Sequence, residues 1–244
     1  MAEDAITAIE RAEALRGRVS TPEIECHAQL EVPDAAIRIA RLQERTMALG
    51  PGRRCVVWFQ GCSLSCRGCI AATMNAAPPL FRTTPARLAE WCLSIGDIDG
   101  ITLSGGDPFD QPLDQLAEFL ELIRERSGLS VLLYTGRTLS QLRCANEPLV
   151  ERCLAAVDIL VDGPYVEALN DGVGWRGSSN QVIHAIGPRA GDVVHAAMTS
   201  RRVELVVNNS GLVSFTGIPR RGVGARLAER LERGSAENDH EEKK

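Results

Sequence analysis

The chain is a succession of short apolar runs separated by amphipathic stretches. The runs hold aliphatic and β-branched residues without regular polar alternation and stop at or near glycine, which predicts buried strands. They lie at 55–59, 100–104, 130–135 and 158–161. Apolar residues at helical spacing predict helices between and after these strands. The helical segments include 88–92, 113–123 and 150–154.

This order of strands and helices is typical of right-handed βαβ units, so the sequence predicts an α/β fold with a parallel sheet. Strands without polar alternation are covered on both faces. In such sheets chemistry gathers at the carboxyl ends of the strands. The distinctive motifs all follow predicted strands: the cysteine-rich stretch at 61–69, Gly105-Gly106-Asp107-Pro108, Thr135-Gly136-Arg137 and Asp162-Gly163-Pro164.

The two ends of the chain have different patterns from the core, which we place at residues 48–188. Residues 1–47, rich in Ala and Glu, predict an N-terminal helical extension. Within 189–222, apolar stretches flank Asn208-Asn209-Ser210-Gly211 and predict a β-hairpin. Residues 223–244 predict a polar terminal helix followed by a charged, disordered tail.

Composition narrows the classes of protein. With 244 residues and 44% hydrophobic content, the chain can bury one sizeable core. A net charge of -5 argues against a nucleic-acid partner. No run of 18 apolar residues is present and the N-terminus is acidic, so we expect a cytoplasmic protein without a membrane span or signal peptide. Five cysteines occur singly and are interpreted as small hydrophobes: Cys26, Cys55, Cys92, Cys144 and Cys153.

The candidate chemistry lies in a C-x3-C-x2-C triplet, Cys62, Cys66 and Cys69, directly after the first predicted strand. A compact loop turns its thiolates toward one centre, and Gly61 and Gly68 leave the backbone free to bend. Three thiolates hold three corners of a [4Fe-4S] cluster. Since no fourth cysteine lies close by, one iron is predicted to stay open for chemistry.

Two alternatives to the cluster remain open from the residues alone. Thiolates also bind zinc, although a structural zinc site normally has four protein ligands. The four histidines at 27, 184, 195 and 240 form no partner motif for the triplet. The other alternative is that the three thiols are unliganded.

An open iron binds the amino and carboxylate groups of a small molecule, and S-adenosylmethionine is the fitting ligand. Its sulfonium accepts one electron, the bond from sulfur to the ribose breaks, and a 5'-deoxyadenosyl radical forms. Gly105 and Gly106 let backbone carbonyls approach the amino end, and Asp107 provides an acceptor for the ammonium.

These motifs resemble those of radical S-adenosylmethionine enzymes. The chain resembles in particular the activating proteins of anaerobic ribonucleoside-triphosphate reductase, which act on a glycyl-radical enzyme. The resemblance spans 50–184 and is carried by Gly50-Pro51-Gly52, the cysteine triplet, Leu103 to Pro108, Tyr134-Thr135-Gly136, Leu160 to Gly163 and Trp175 to Gln181.

The resemblance implies a partial (β/α) barrel of the radical SAM type, here with a C-terminal β-hairpin and helix. It implies that Cys62, Cys66 and Cys69 ligate the cluster. It implies further that the S-adenosylmethionine site includes Gly68, Cys69, Ile70, Gly105, Gly106, Asp107, Thr135 and Asn180. Ser178, Ser179 and Asn180 lie on a loop that can close over the pocket, unless that loop is only a capped turn. A flavodoxin or ferredoxin is the expected electron donor.

The chain also departs from the family. Relatives usually carry Tyr-Asn after the third cysteine, where this chain has Ile70-Ala71. The first functional hypothesis is hydrogen abstraction from a glycine of a partner reductase. The second retains the radical chemistry but acts on another peptide, protein or small metabolite. The third is a non-catalytic iron-sulfur module for electron transfer or binding.

Overall fold

A computed structural model describes residues 36–75, 79, 81–191, 197, 201–207, 213–220 and 222–223. The helical prediction for residues 1–35 lies outside the described residues. So do the hairpin turn at 208–212 and nearly all of the terminal helix and tail predicted for 223–244. No helix within the described ranges has both the length and the apolar character that a membrane span requires.

The described chain contains nine strands and four α-helices. The strands are β1 (Ile37–Thr46), β2 (Arg54–Phe59), β3 (Phe81–Thr83), β4 (Gly100–Gly105), β5 (Ser130–Tyr134), β6 (Ile159–Asp162), β7 (Val182–Ala185), β8 (Val203–Val207) and β9 (Val213–Gly217). The helices are α1 (Pro85–Ser94), α2 (Leu113–Arg126), α3 (Leu139–Cys144) and α4 (Pro148–Ala155). Short 3-10 turns lie at Ala72–Met74, Pro108–Asp110 and Glu167–Leu169.

Seven strands form one sheet in the order β3-β1-β2-β4-β5-β6-β7. The four central strands β2, β4, β5 and β6 are parallel, whereas β1, β3 and β7 pair antiparallel at the two sides. The predicted α/β class and parallel strands are therefore confirmed. The edge strands β3 and β7 do not pair with each other, so the described residues form an open sheet and no closed barrel. Strands β8 and β9 pair antiparallel in a second sheet, as the C-terminal pattern predicts.

The N-terminal boundary requires a correction. Residues 37–46, which the sequence analysis places in the helical extension, form strand β1 instead. Ile37 and Ile39 are buried and Arg38 lies between them, a period of two that is typical of a strand. Strands β3 and β7 and helix α3 were also not predicted. Helix α3 begins with a capping box in which Thr138 and Gln141 bond each other's backbone.

All four helices pack against the same face of the sheet. Cys55, Val57 and Phe59 of β2 point into this main core, where α2 buries Leu116, Phe119, Leu120 and Ile123. Each such side chain contributes about 1.5–3 kcal/mol when fully buried. Helix α1 starts as predicted, with the Thr84 hydroxyl capping the N–H of Arg87. Cys55, Cys92 and Cys153 are buried in this core, whereas Cys144 is exposed.

The opposite face of the sheet is covered by later segments of the chain. Val56 and Trp58 of β2 contact Leu49 and Ile218, the residue after β9. Further along the sheet, β5 and β6 contact Trp175, Ala190 and Ala197. Both faces of the central strands are therefore apolar because both are covered, which explains the absence of polar alternation in the sequence.

Candidate functional site

The cysteine loop begins where β2 ends and is closed by backbone hydrogen bonds. The N–H of Gly61 donates to the Met74 carbonyl at 2.8 Å, and that of Cys62 donates to the Asn75 carbonyl at 3.2 Å. Gly61 and Gly68 have φ values of 102° and 72°, which favour glycine. The predicted reason for these two glycines is therefore confirmed by the backbone.

The three loop cysteines are free thiols of intermediate exposure. Burial raises the pKa of Cys62, and backbone N–H groups of Leu64 and Ser65 oppose that shift. Burial likewise raises the pKa of Cys69, with the Ala71 N–H opposing it and Cys66 and Cys62 adding to it. Soft sulfur atoms that accept backbone N–H bonds fit an iron-sulfur cluster. Among the described residues, however, no three His, Cys, Asp or Glu side chains are arranged to hold a metal ion.

The Gly105-Gly106 turn at the end of β4 packs directly on the start of the cysteine loop. The N–H of Gly106 donates to the Phe59 carbonyl at 2.8 Å, and that of Asp107 donates to the Gly61 carbonyl at 2.9 Å. A Cβ at position 106 would overlap the Gly61 carbonyl. The second glycine is therefore required by the contact between the two motifs, and the structure brings them together as the strand order predicts.

Asp107 is 2% exposed and lies among hydrogen-bond donors of its own chain. Its carboxylate accepts hydrogen bonds from the N–H of Phe109 at 2.9 Å, the N–H of Gly136 at 3.0 Å and the hydroxyl of Thr135 at 3.0 Å. Arg137 Nη1 lies 3.0 Å from Oδ1. Burial raises the pKa of Asp107, and Arg137 and these donors oppose the shift. The acceptor expected for an ammonium is thus occupied by the chain's own donors.

Arg137 and Asp110 connect this turn to the cysteine loop. Arg137 Nη2 donates to Asp110 Oδ1 at 2.5 Å. Asp110 in turn accepts the N–H of Ser63 at 2.6 Å and its hydroxyl at 3.1 Å. Although burial raises the pKa of Asp110, the bonds from Arg137 and Ser63 outweigh it, and the pKa lies below its usual value.

Sequence reasoning missed the roles of Arg137, Asp110 and Ser63. Arg137 belongs to the strand-end motif Thr135-Gly136-Arg137, but the sequence assigns it no partner. Its two carboxylate partners come from the turn after the neighbouring strand, at Asp107 and Asp110. The sequence does place a basic residue at the end of one strand and two acidic residues after the adjacent strand. This pattern could have predicted the ion pairs.

Thr135 lies at the end of β5 and is buried. Its hydroxyl donates to the Asp107 carboxylate and accepts the N–H of Arg137 at 3.1 Å. The structure therefore places Thr135 beside the Gly-Gly turn, as the parallel sheet predicts, and uses its hydroxyl to brace that turn.

The loop from Trp175 to Gln181 is fastened to the end of β6. Asn180 Nδ2 donates to the Pro164 carbonyl and Gln181 Nε2 to the Gly163 carbonyl, each at 2.8 Å. The buried hydroxyl of Ser178 accepts the N–H of Val166 at 3.1 Å. Asn180 itself is exposed. These bonds make the loop a braced turn at the same edge of the sheet.

The segment between β6 and this loop contacts the cysteine loop. A Cβ at Gly68 would lie 3.0 Å from the Glu167 carboxyl carbon. Ile70, just after the third cysteine, is 58% exposed. The cysteine loop and the motifs at the ends of β4, β5 and β6 therefore meet at one edge of the sheet. Ile70 is exposed at this edge.

The comparisons with known proteins agree with this site. The chain belongs to the 4Fe-4S single cluster domain family, whose model matches residues 48–184.

Curated relatives are named anaerobic ribonucleoside-triphosphate reductase-activating protein. That of Escherichia coli strain K12 is 33% identical over 148 residues, covering 55% of this chain and 90% of the relative. That of Vibrio cholerae is 33% identical over 144 residues, covering 55% and 89%. That of enterobacteria phage T4 is 32% identical over 136 residues, covering 54% and 83%. The resemblance predicted from the motifs is confirmed.

The matched segment contains β2 to β6 and ends within β7. It includes the cysteine loop, the Gly-Gly turn and the braced loop. The β8–β9 pair lies outside it.

Proposed function

We propose that the chain is a radical S-adenosylmethionine enzyme that abstracts a hydrogen atom from a glycine of a partner glycyl-radical enzyme, an anaerobic ribonucleotide reductase. The observation that carries the proposal is the direct backbone contact between the cysteine loop and the Gly105-Gly106 turn. That contact sets a cluster-binding loop against a turn suited to an amino acid. The names of the relatives support the choice of partner.

Cys62, Cys66 and Cys69 are the proposed ligands of a [4Fe-4S] cluster with one open iron. When bound, the cluster supplies one electron that splits the sulfonium of S-adenosylmethionine into methionine and a 5'-deoxyadenosyl radical. The described loop does not yet converge its side chains on one point. Binding of the metal would bring the three thiolates together.

The backbone of Gly105 and Gly106 is the proposed contact for the amino end of S-adenosylmethionine. Asp107 then acts as a positioning residue, because its carboxylate is occupied by Thr135, Gly136 and Arg137. The proposed walls of the pocket are Gly68, Cys69, Ile70, Thr135 and Asn180. The sheet would be the partial (β/α) barrel of the radical SAM type, with β2, β4, β5 and β6 as its parallel strands.

A second candidate retains the radical chemistry but changes the substrate to another peptide, protein or small molecule. It is favoured by the β8–β9 pair, which lies outside the matched segment and packs on the sheet. Glu204 of β8 accepts the Thr46 hydroxyl at 2.6 Å and the Met47 N–H at 2.7 Å. Arg41 of β1 donates to the Phe215 carbonyl at 3.1 Å. We infer that this added pair of strands on the sheet would change which partner docks.

The chemistry is tested by anaerobic reconstitution with iron and sulfide, chemical reduction and assay of 5'-deoxyadenosine. We expect release by the wild type and none by Cys66→Ala. Cys144→Ala is the matched control, because Cys144 is a free, exposed cysteine outside the site. Equal release by the wild type and Cys66→Ala, or a cluster without cleavage, would support the non-catalytic module instead.

The substrate is tested separately by adding the anaerobic reductase of the same organism and recording electron paramagnetic resonance spectra. A glycyl-radical doublet on the reductase is the expected result, with flavodoxin or ferredoxin as the proposed physiological donor. Cleavage of S-adenosylmethionine without a doublet would favour the second candidate.

A further inference from the structure

A cavity lies in the C-terminal part of the chain and is lined by residues outside the cysteine loop. Arg201, Val203, Arg220 and Val223 line a cavity of about 210 Å³. All four residues lie outside the segment that the family model matches. The cavity is therefore not explained by the proposed cluster chemistry.

Arg201 is held in place but is not fully hydrogen-bonded. Its Nε donates to the Ile218 carbonyl and its Nη2 to the Pro219 carbonyl, each at 2.6 Å. Its Nη1 is buried and has no hydrogen-bond partner among the described residues. Leaving a buried charged donor unpaired is unfavourable, and this atom is also closed to solvent.

The described residues that line the cavity carry two positive charges and no negative charge. Burial lowers the pKa of Arg201; the nearby Asp171 opposes that shift, whereas Arg220 adds to it. Asp171 is already paired with Arg176 at 2.6 Å. Among the described residues, neither cavity arginine forms an ion pair with a carboxylate, in a chain whose net charge is -5.

The side chain of Arg220 packs against the backbone at Gly172. Gly172 has a φ of 72°, and a Cβ there would lie 3.0 Å from Arg220 Cγ. The arginine stem therefore packs against a glycine. The hydroxyl of Tyr134 is also buried without a partner among the described residues. Burial raises the pKa of Tyr134, while the positive charges of Arg54 and Arg201 oppose the shift.

We propose that the cavity between Arg201 and Arg220 binds a phosphate group, either free or carried by a small molecule. A guanidinium presents planar N–H donors that match oxyanions, and two guanidiniums lining one cavity suit a doubly charged tetrahedral anion. The inference does not depend on the proposed radical chemistry.

The test measures the affinity of the purified full chain for inorganic phosphate by isothermal titration calorimetry. The chain is first exchanged into a phosphate-free buffer. Arg220→Ala and Arg201→Lys are each expected to weaken binding about tenfold or more, because a charge or the guanidinium fork is lost. Arg202→Ala is the matched control, since this exposed neighbour lies outside the cavity lining. It is expected to bind as the wild type does. Circular dichroism checks that each variant is folded.

No binding by the wild type at millimolar phosphate overturns the proposal, as does equal weakening by Arg202→Ala. A parallel titration with glycerol phosphate distinguishes the sources: tighter binding than phosphate indicates a carried group, and equal binding a free anion. Cys66→Ala is expected to bind phosphate normally while failing to cleave S-adenosylmethionine. The two proposals can therefore fail separately.

Discussion

The Gly-Gly turn and the arginine cavity differ in how their charged groups are used. At the turn, the buried Asp107 carboxylate is surrounded by donors of the same chain, and Arg137 bridges it to Asp110. At the cavity, Arg201 retains a buried donor without a partner among the described residues. Arg137 at the turn is balanced by the carboxylates of Asp107 and Asp110, whereas the cavity arginines form no ion pair among the described residues. The difference separates the residues that we propose to position a site from those that we propose to bind an anion.

The largest expected effect comes from Asp107→Ala. The change removes the acceptor for Gly136, Phe109 and Thr135 and leaves Arg137 without one of its two partners. We expect the free energy of unfolding to fall by about 3 kcal/mol, less than for a fully buried pair because Arg137 keeps some contact with water. Denaturant titration measures it, with the exposed Glu118→Gln as control. Equal losses in both variants would contradict the scaffold role.

Gly106→Ala is expected to act next most strongly. The added Cβ overlaps the Gly61 carbonyl and must displace the start of the cysteine loop. A loss of about 1–3 kcal/mol is typical of such overpacking. The iron content of Gly106→Ala after reconstitution should also be lower than that of the wild type. Gly128→Ala is the control because a Cβ there meets nothing within 4 Å. Full iron content in Gly106→Ala would argue that the turn does not support the loop.

The loss of stability at acidic pH is expected to depend on Asp110. Its pKa in the folded state lies below its ordinary value of 3.8, because Arg137 and Ser63 outweigh the effect of burial. Its contribution is therefore fully present above pH 3.8 and is lost as the pH falls through the lower, folded-state pKa. Asp110→Asn should lose less stability than the wild type over that window. Parallel curves from denaturation at stepped pH would show that the ion pair is not formed.

The pKa of Asp107 is shifted in the opposite direction to that of Asp110. Asp107 is present in both the wild type and Asp110→Asn. Burial raises its pKa, so its protonation in the folded state favours folding as the pH falls from that raised pKa toward 3.8. The difference between the two curves, rather than either curve alone, isolates Asp110.

The smallest effect on stability is expected for Arg220→Ala. Arg220 is exposed and shares its cavity with another arginine, so removing it should change the free energy of unfolding by no more than about 0.5 kcal/mol. The same variant is expected to lose phosphate binding. A large loss of stability, measured by denaturant titration, would place Arg220 with Asp107 among the scaffold residues.

Several elements could be read from local patterns. Strand β2, helix α1 with its Thr84 cap and helix α2 follow from residues close together in the chain. Strand β1 was missed because its alternation is short and its partner β2 is needed to complete it. Strand β7 is half exposed and pairs only at the sheet edge, so its sequence carries a weak signal.

Local spacing was sufficient to place three thiols on one loop and a Gly-Gly turn after the next strand, because each motif spans only a few residues. Tertiary structure alone decided that Asp107 is occupied by Thr135, Gly136 and Arg137 and that Asp110 holds Ser63. It also brought Arg201 and Arg220 to one cavity. Ion pairs and unsatisfied donors depend on which strand ends and loops meet in space. Periodicity along the chain describes only which face a residue occupies.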